Sequence, residues 1–230
     1  MSMSTNTSSK DYRTLGYVIR RTNYGEADRI LNIITPLGKK TVIAKGVRKS
    51  KSKLAGNIEL FARIDFNIYQ GKSEFGVVTG AKMVDFFGEI LKDMTKMELV
   101  GTFFKKISKL AESSDNPEYY EIIDQSMAAV NDGIDVRLVE AWFLLNASRA
   151  AGEELNLYRD EEGKQLQEDK KYNYNIGEEA FSESINGEFA ANEIKMLRLC
   201  TKAKLKVVNK VKCDDALLDK VLFLARTVNE

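Results

Sequence analysis

Ile58-Glu59-Leu60-Phe61-Ala62-Arg63-Ile64-Asp65-Phe66-Asn67-Ile68-Tyr69 alternates between two kinds of side chain. Ile58, Leu60, Ala62, Ile64, Phe66 and Ile68 fall on one face of an extended chain, and Glu59, Phe61, Arg63, Asp65, Asn67 and Tyr69 on the other. Alternation at a period of two over this length marks a half-buried β-strand. Four more strand signals surround it. Thr14 to Thr22 is rich in Tyr, Val and Ile, and Asn23-Tyr24-Gly25-Glu26 then supplies turn chemistry. Asp28 to Thr35 is closed by Pro36-Leu37-Gly38, Lys40 to Gly46 follows, and after Gln70-Gly71-Lys72 comes Phe75 to Phe86. Five short strands in about 75 residues, with no helical period of any length, predict a five-stranded Greek-key barrel of the OB type. An SH3-like barrel gives a similar pattern.

Between the third and fourth strands the chain becomes strongly basic. Residues 39–53 hold Lys39, Lys40, Lys45, Arg48, Lys49, Lys51 and Lys53 and no acidic residue, in a protein whose net charge is +1. Concentrated charge of one sign on a near-neutral chain reads either as a solvated loop or as a polyanion site. A flexible Lys/Ser segment neutralises phosphates without reading bases, which gives affinity without sequence preference. Arg20, Arg21 and Arg29 lie on neighbouring strands and extend the patch. Phe61 and Tyr69 stand on the polar face of the fourth strand, where an aromatic ring either stacks on unpaired bases or covers an end of the barrel.

Charge divides the chain. Residues 10–85 carry a net +8 and residues 86–230 a net −7, which suggests a domain boundary near residue 85. The length of 230 residues, with 43% hydrophobic and 30% charged, suits a globular chain with a sizeable core. No apolar run approaches the roughly 20 residues of a membrane span. Met1 to Ser9 lacks the basic start and apolar stretch of a secretory signal, so residues 1–10 read as a disordered tail and the protein as cytoplasmic. There is no histidine, which removes Ser-His-Asp and Cys-His catalysis and the ordinary zinc enzymes. Cys200 and Cys213 are too few for a disulfide framework or a four-cysteine zinc site and read as small core residues. No nucleophile–base pair can be named, so an enzyme is not expected.

Beyond residue 87 the period changes. Met94, Met97, Val100, Phe104, Ile107 and Ala111 recur at helical spacing. Asn116-Pro117 opens a second helix and Asp135 a third, which contains Trp142 and ends at Gly152. Residues 153–193 carry a net −8, and Leu155 to Leu166 with Tyr172 to Ile176 reads as a short hairpin. Helix returns near Ala190, and a last one, capped by Asp214, carries Leu217, Leu218, Val221, Leu222, Leu224 and Val228. A second basic cluster, Lys195, Arg198, Lys202, Lys204, Lys206, Lys210 and Lys212, is interleaved with apolar residues. It suits an acidic, hydrophobic peptide, a longer nucleic-acid track, or pairing with the acidic 153–193 segment. The fold class is therefore α+β: a barrel over 11–87, then an α-helical domain over 88–230 with an irregular acidic insert at about 153–193.

Several of these stretches together resemble a known family. Gly16-Tyr17-Val18-Ile19-Arg20, Tyr24-Gly25-Glu26-Ala27-Asp28-Arg29-Ile30, Thr35-Pro36-Leu37-Gly38-Lys39 and Ala44-Lys45-Gly46-Val47-Arg48-Lys49-Ser50-Lys51-Ser52-Lys53-Leu54 are similar, in order and spacing, to the opening of RecO DNA-repair proteins. The resemblance covers residues 12–87. It implies an OB-fold followed by helices, and a recombination mediator of the bacterial cytoplasm and nucleoid. Such a protein binds single- and double-stranded DNA, anneals complementary strands and, with RecR, helps RecA load onto DNA coated by single-stranded DNA-binding protein (SSB). It also contacts the acidic, hydrophobic C-terminal tail of SSB. On this reading Arg20, Arg21, Arg29, Lys39, Lys40, Lys45, Arg48, Lys49, Lys51 and Lys53 contact phosphates, and Phe61 stacks. Lys195, Arg198, Lys202, Lys204 and Lys206 receive the SSB tail. Many RecO proteins carry a four-cysteine zinc module, but the stretch from Leu157 to Phe189 contains no cysteine and Arg159-Asp160-Glu161-Glu162-Gly163 stands where the first pair belongs, so zinc is not carried over. From the residues alone two other classes stay open: an RNA-binding OB module, and a scaffold that binds acidic protein tails.

Overall fold

The structure is a computed structural model and describes residues 10–229. The expected tail lies outside these residues, except that Lys10 opens a strand instead and pairs with Gln70. Five strands come first: β1 (Lys10–Tyr24), β2 (Asp28–Thr35), β3 (Gly38–Ala44), β4 (Ala62–Gln70) and β5 (Gly76–Phe86). Their order is β1-β2-β3-β5-β4, and β4 pairs back onto β1, so the sheet closes on itself. Closure depends on β1 serving two neighbours. Its first half, Lys10 to Tyr17, pairs with β4, and its second half, from Tyr17 to Tyr24, pairs with β2. A bulge between Val18 and Arg20 bends the strand where it changes partner. The other seam is a short parallel contact of β3 with β5 at Val42–Gly76 and Ile43–Val77.

The alternation of the fourth strand is what fills the barrel. Ile58, Ala62, Ile64, Phe66 and Ile68 are buried together with Val18, Leu31, Ile33, Val42, Ala44 and Val78, and Leu60 packs against them half-buried. The strand itself starts at Ala62 rather than Ile58, because Phe61 adopts a left-handed backbone (φ 58°) that breaks the extended run.

The helices follow: α1 (Met94–Ser113), α2 (Glu118–Asn131), α3 (Val136–Ala151), α4 (Ala191–Lys202), α5 (Leu205–Val208) and α6 (Asp215–Thr227). Their starts follow the predicted caps. Asn116 accepts from the Glu118 amide at 2.9 Å, Asp135 from Arg137 at 2.9 Å and Asp214 from Leu217 at 2.8 Å. Asp93 caps α1 in the same way, through Thr95. α3 ends at Gly152, whose φ of 92° a residue with a Cβ rarely adopts.

The chain forms two compact units, Met1–Asp124 and Gln125–Glu230. The strand-to-helix change falls where the sequence places it, but the first unit runs on through α1 and into α2. The reason is the outer face of the barrel. Tyr17 points away from the barrel core and is still fully buried, against Phe87 and Tyr120, with its hydroxyl donating to Asp124 at 2.7 Å. Arg63 donates to the same Asp124 oxygen at 3.1 Å and pairs with Asp85. Burial and the bond to Asp124 raise the Tyr17 pKa. Burial opposes the Arg63 charge, but Asp85 and Asp124 outweigh it and its pKa rises. α1 adds Val100, Phe103, Phe104 and Ile107 as its buried face.

In the second unit Trp142 is buried and donates from Nε1 to the Ala203 carbonyl at 2.9 Å, while Asn146 bridges Trp142 and the Cys200 carbonyl. Cys200 is buried, and that burial pushes its thiol up to about 12; Cys213 is half-buried. Arg137 binds Asp135, Asp215 and Asp219, and Arg226 clamps Glu140, tying α3 to α6.

The insert differs from its expected pairing. The hairpin is β6 (Tyr172–Asn175) with β7 (Ala180–Glu183), not Leu155–Leu166 with Tyr172–Ile176. The turn after Asn175 brings the chain straight back, and Asn175 accepts from the Gly177 amide at 3.1 Å. Residues 155–166 fold back on themselves at the isolated bridge Arg159–Gln165 and meet this hairpin at the bridge Asp160–Phe181. Leu157, Leu166, Tyr172, Phe181 and Phe189 are buried and give the insert its own small core.

Candidate nucleic-acid interface

The basic segment after β3 is not the flexible loop that its Lys/Ser composition suggests. Val47 is buried in the barrel core, and Leu54 and Ala55 pack against it. The Gly46 amide donates to Asp28 at 2.7 Å, Arg48 donates from its amide to Ala27 at 2.9 Å, and tight turns join Lys49 to Gly46 and Ser52 to Lys49. The apolar residues at 47, 54 and 55 are the signal the composition masks. They pin the segment at both ends, so Lys45, Arg48, Lys49, Lys51 and Lys53 all point outward. None of these five has an ion-pair partner among the described residues. Arg48 also donates to the Gly25 carbonyl, which ties the segment to the β1–β2 turn.

The predicted patch divides in two. Arg29 sits at the root of the loop, across from Ala44, and donates to Asn23 at 3.2 Å. Arg20 is exposed, and Arg21 pairs with Glu59 at 3.1 Å, so both flank the far end of the loop. Lys39 and Lys40 lie at the opposite end of β3, roughly 20 Å away along a strand that rises about 3.3 Å per residue. There Lys39 donates to the Ser108 carbonyl at 3.2 Å and Lys40 pairs with Asp115 at 3.5 Å. Their charge is largely taken up inside the first unit.

Phe61 joins the loop to β4. It is half-buried, its ring 6.1 Å from that of Phe104, and its carbonyl accepts from the Phe87 amide at 3.0 Å. A left-handed conformation costs a non-glycine residue about 1–2 kcal/mol. Strain of this kind collects at binding and catalytic sites. Tyr69 is exposed and stands at the other end of the same strand.

The second basic cluster also splits. Lys195 pairs with Glu168 at 3.0 Å, Arg198 donates to the Leu157 carbonyl at 2.9 Å, and Arg198 and Lys202 each lie 4.7 Å from the Tyr158 ring centre. These contacts realise in part the internal pairing with the acidic insert. Lys204, Lys206, Lys210 and Lys212 are exposed. Between α4 and the start of α6 a pocket of about 270 Å³ has apolar walls of Met196, Leu199, Val211 and Leu217, with Lys195 and Lys212 at its mouth.

Among the described residues, no group of three or more His, Cys, Asp or Glu side chains is placed to hold a metal ion. No helix of the described residues is long and apolar enough to cross a membrane.

Comparison with known proteins agrees with the motifs. Residues 9–87 match the family model described as Recombination protein O N terminal. The chain is 32% identical over 148 residues to a DNA repair protein RecO of Roseiflexus sp. (strain RS-1), covering 64% of this chain and 52% of that one. It is 31% identical over 152 residues to a DNA repair protein RecO of Dehalococcoides mccartyi, covering 64% and 58%. With that of Bifidobacterium longum it shares 36% over 123 residues, covering 52% and 51%. The chain thus spans about half the length of the curated relatives it matches, and over that span the resemblance to RecO holds.

Proposed function

We propose that this chain, with its RecO-type N-terminal part, is a non-catalytic mediator of recombinational DNA repair in the bacterial cytoplasm. It binds single- and double-stranded DNA and anneals complementary strands, through a barrel we read as an OB-fold. The observation that carries this is the anchored loop, which holds five cations outward with no acidic partner among the described residues. Two strands brought together repel through their phosphates, and a basic surface that touches both lowers that repulsion. The cooperation with RecR in loading RecA rests on the resemblance alone. A strand-annealing assay with and without SSB tests the proposal: the chain accelerates pairing of complementary oligonucleotides in both cases, and the acceleration fades with salt. No acceleration at low salt overturns it. Structured RNA competing better than single-stranded DNA of equal length would move the reading to an RNA-binding module.

The pocket beside α4 supports a partner site for the SSB tail. Its apolar walls accept a hydrophobic side chain, and Lys195 and Lys212 at the mouth meet neighbouring carboxylates. The exposed Lys204 and Lys206 add to the field, Arg198 and Lys202 lie against Tyr158, and Lys195 exchanges its exposed pairing with Glu168 for the peptide. Lys195→Glu with Lys212→Glu lowers affinity for an SSB-tail peptide at least tenfold, the range that charge pairs at an interface command. Binding to bare single-stranded DNA stays within twofold. An unchanged peptide affinity removes this site.

A further inference from the structure

A groove in the first unit is lined by Leu60 and Phe61, just past the end of the basic loop. Its volume is about 700 Å³, within the range of small-molecule sites. The floor is apolar: Ile19, Leu60, Phe61 and Phe104. Four cations border it, Arg20 and Arg21 from β1 and Lys105 and Lys109 from α1. Of these only Arg21 has an ion-pair partner among the described residues, Glu59. Glu112 is the one acidic lining residue, and Lys39 stands 3.8 Å from it.

We infer that this groove seats an unstacked base of a single strand whose backbone has crossed the basic loop. The inference rests on the proposed DNA binding and adds the two α1 lysines and a preference for unpaired DNA. Three observations carry it. The groove lies close to the loop, since Arg21 at its border pairs with Glu59, two residues past the loop's closing turn at Ala55–Asn57. Its composition is that of single-strand sites, an apolar and aromatic platform beside cations that follow the backbone. And Phe61 holds its place in the groove in a strained left-handed conformation. A base lying on Leu60 and Phe61 keeps its polar edge toward the open side. A duplex cannot present such a base without first unpairing and unstacking it. The site therefore selects single strands, while the loop binds phosphates of either form.

Binding of a fixed oligonucleotide, single-stranded or as a blunt duplex, to the full chain tests this. Lys105→Glu with Lys109→Glu, and separately Phe61→Leu, each weaken single-strand binding about tenfold, the scale of one lost base stack. Duplex affinity stays within about threefold, since the loop's phosphate contacts are kept. Photocrosslinking adds a readout that needs no variant. Wild-type protein with a 5-iodouracil oligonucleotide gives an adduct on the peptide containing Phe61 or Phe104, and the duplex gives none. Adducts only elsewhere, or equal losses for single strand and duplex, overturn the groove while leaving the loop proposal standing. If the wild-type chain binds no DNA at low salt, the proposed function itself fails. If the variants lose binding to an acidic peptide and not to DNA, the groove belongs to a protein partner and the inference is wrong.

Discussion

Arg48→Ala, Lys49→Ala, Lys51→Ala and Lys53→Ala together weaken single-stranded DNA binding on the order of 100-fold at 0.1 M salt and flatten its salt dependence. The magnitude follows from counterion release. Each phosphate neutralised contributes about 0.7 to the log–log salt slope of a single strand, so five loop cations give roughly −3.5 and the Lys45 that remains gives about −0.7. The loss is the same for every sequence tested, because these are backbone contacts. Annealing slows in parallel. Thermal stability changes little, since the four side chains are exposed, make no ion pair among the described residues and give up only the exposed Arg48–Gly25 hydrogen bond. The anchors Val47, Leu54 and Ala55 remain. Anchoring also raises the effect: a segment already held by the barrel gives up less conformational entropy on binding than a free one. Binding isotherms across a salt series decide the matter. Unchanged affinity with an unchanged slope in the quadruple variant shows that the loop is only a solvated edge.

The residues of this loop show which kinds of feature the sequence discloses. Its charge is a linear property and is plain in residues 39–53. Its anchoring is not, because Val47 and Leu54 look incidental until the barrel exists to receive them. The same holds for the rest of the fold. Period-two alternation named the inward face of the fourth strand, and side-chain caps named the helix starts, since both depend on near neighbours in the chain. Tyr17 could not be placed this way. It lies on the face of β1 that a free barrel would show to water, and only α2 and Asp124 explain its burial. Lys39 and Lys40 read as part of the basic patch because they are close to it in sequence, but β3 carries them to the other end of the barrel, beside Asp115 and Glu112. Nothing in the sequence singles out Lys105 and Lys109. Their position beside Arg20 and Phe61 comes from tertiary packing alone.

The insert gives the second large effect. Phe181→Ala unfolds residues 157–189 locally and leaves the barrel intact. Phe181 is fully buried, with its ring 6.4 Å from Tyr172, 5.3 Å from Tyr174 and 5.7 Å from Phe189, each near edge-on. Its carbonyl also accepts from the Glu161 amide at 2.9 Å, so the ring and the backbone hold the same crossing point. Truncating a buried phenylalanine costs about 3–5 kcal/mol. A module of this size has little other apolar area to absorb the loss. Gly187→Ala gives the same outcome by another route. A Cβ at Gly187 would lie 2.4 Å from the Tyr172 nitrogen, which is backbone and cannot swing aside, and so would separate the paired Tyr172 and Phe189 segments. Hydrogen exchange reads both variants: amides of 157–189 lose protection while those of the β1–β4 pair keep it, and single-stranded DNA affinity stays within about twofold because the loop belongs to the other unit. A chelator leaves exchange in the wild-type insert unchanged, because aromatic packing and not four thiolates forms its core. Full protection of the insert in both variants, or its loss on chelation, shows that something other than this cluster holds the segment together.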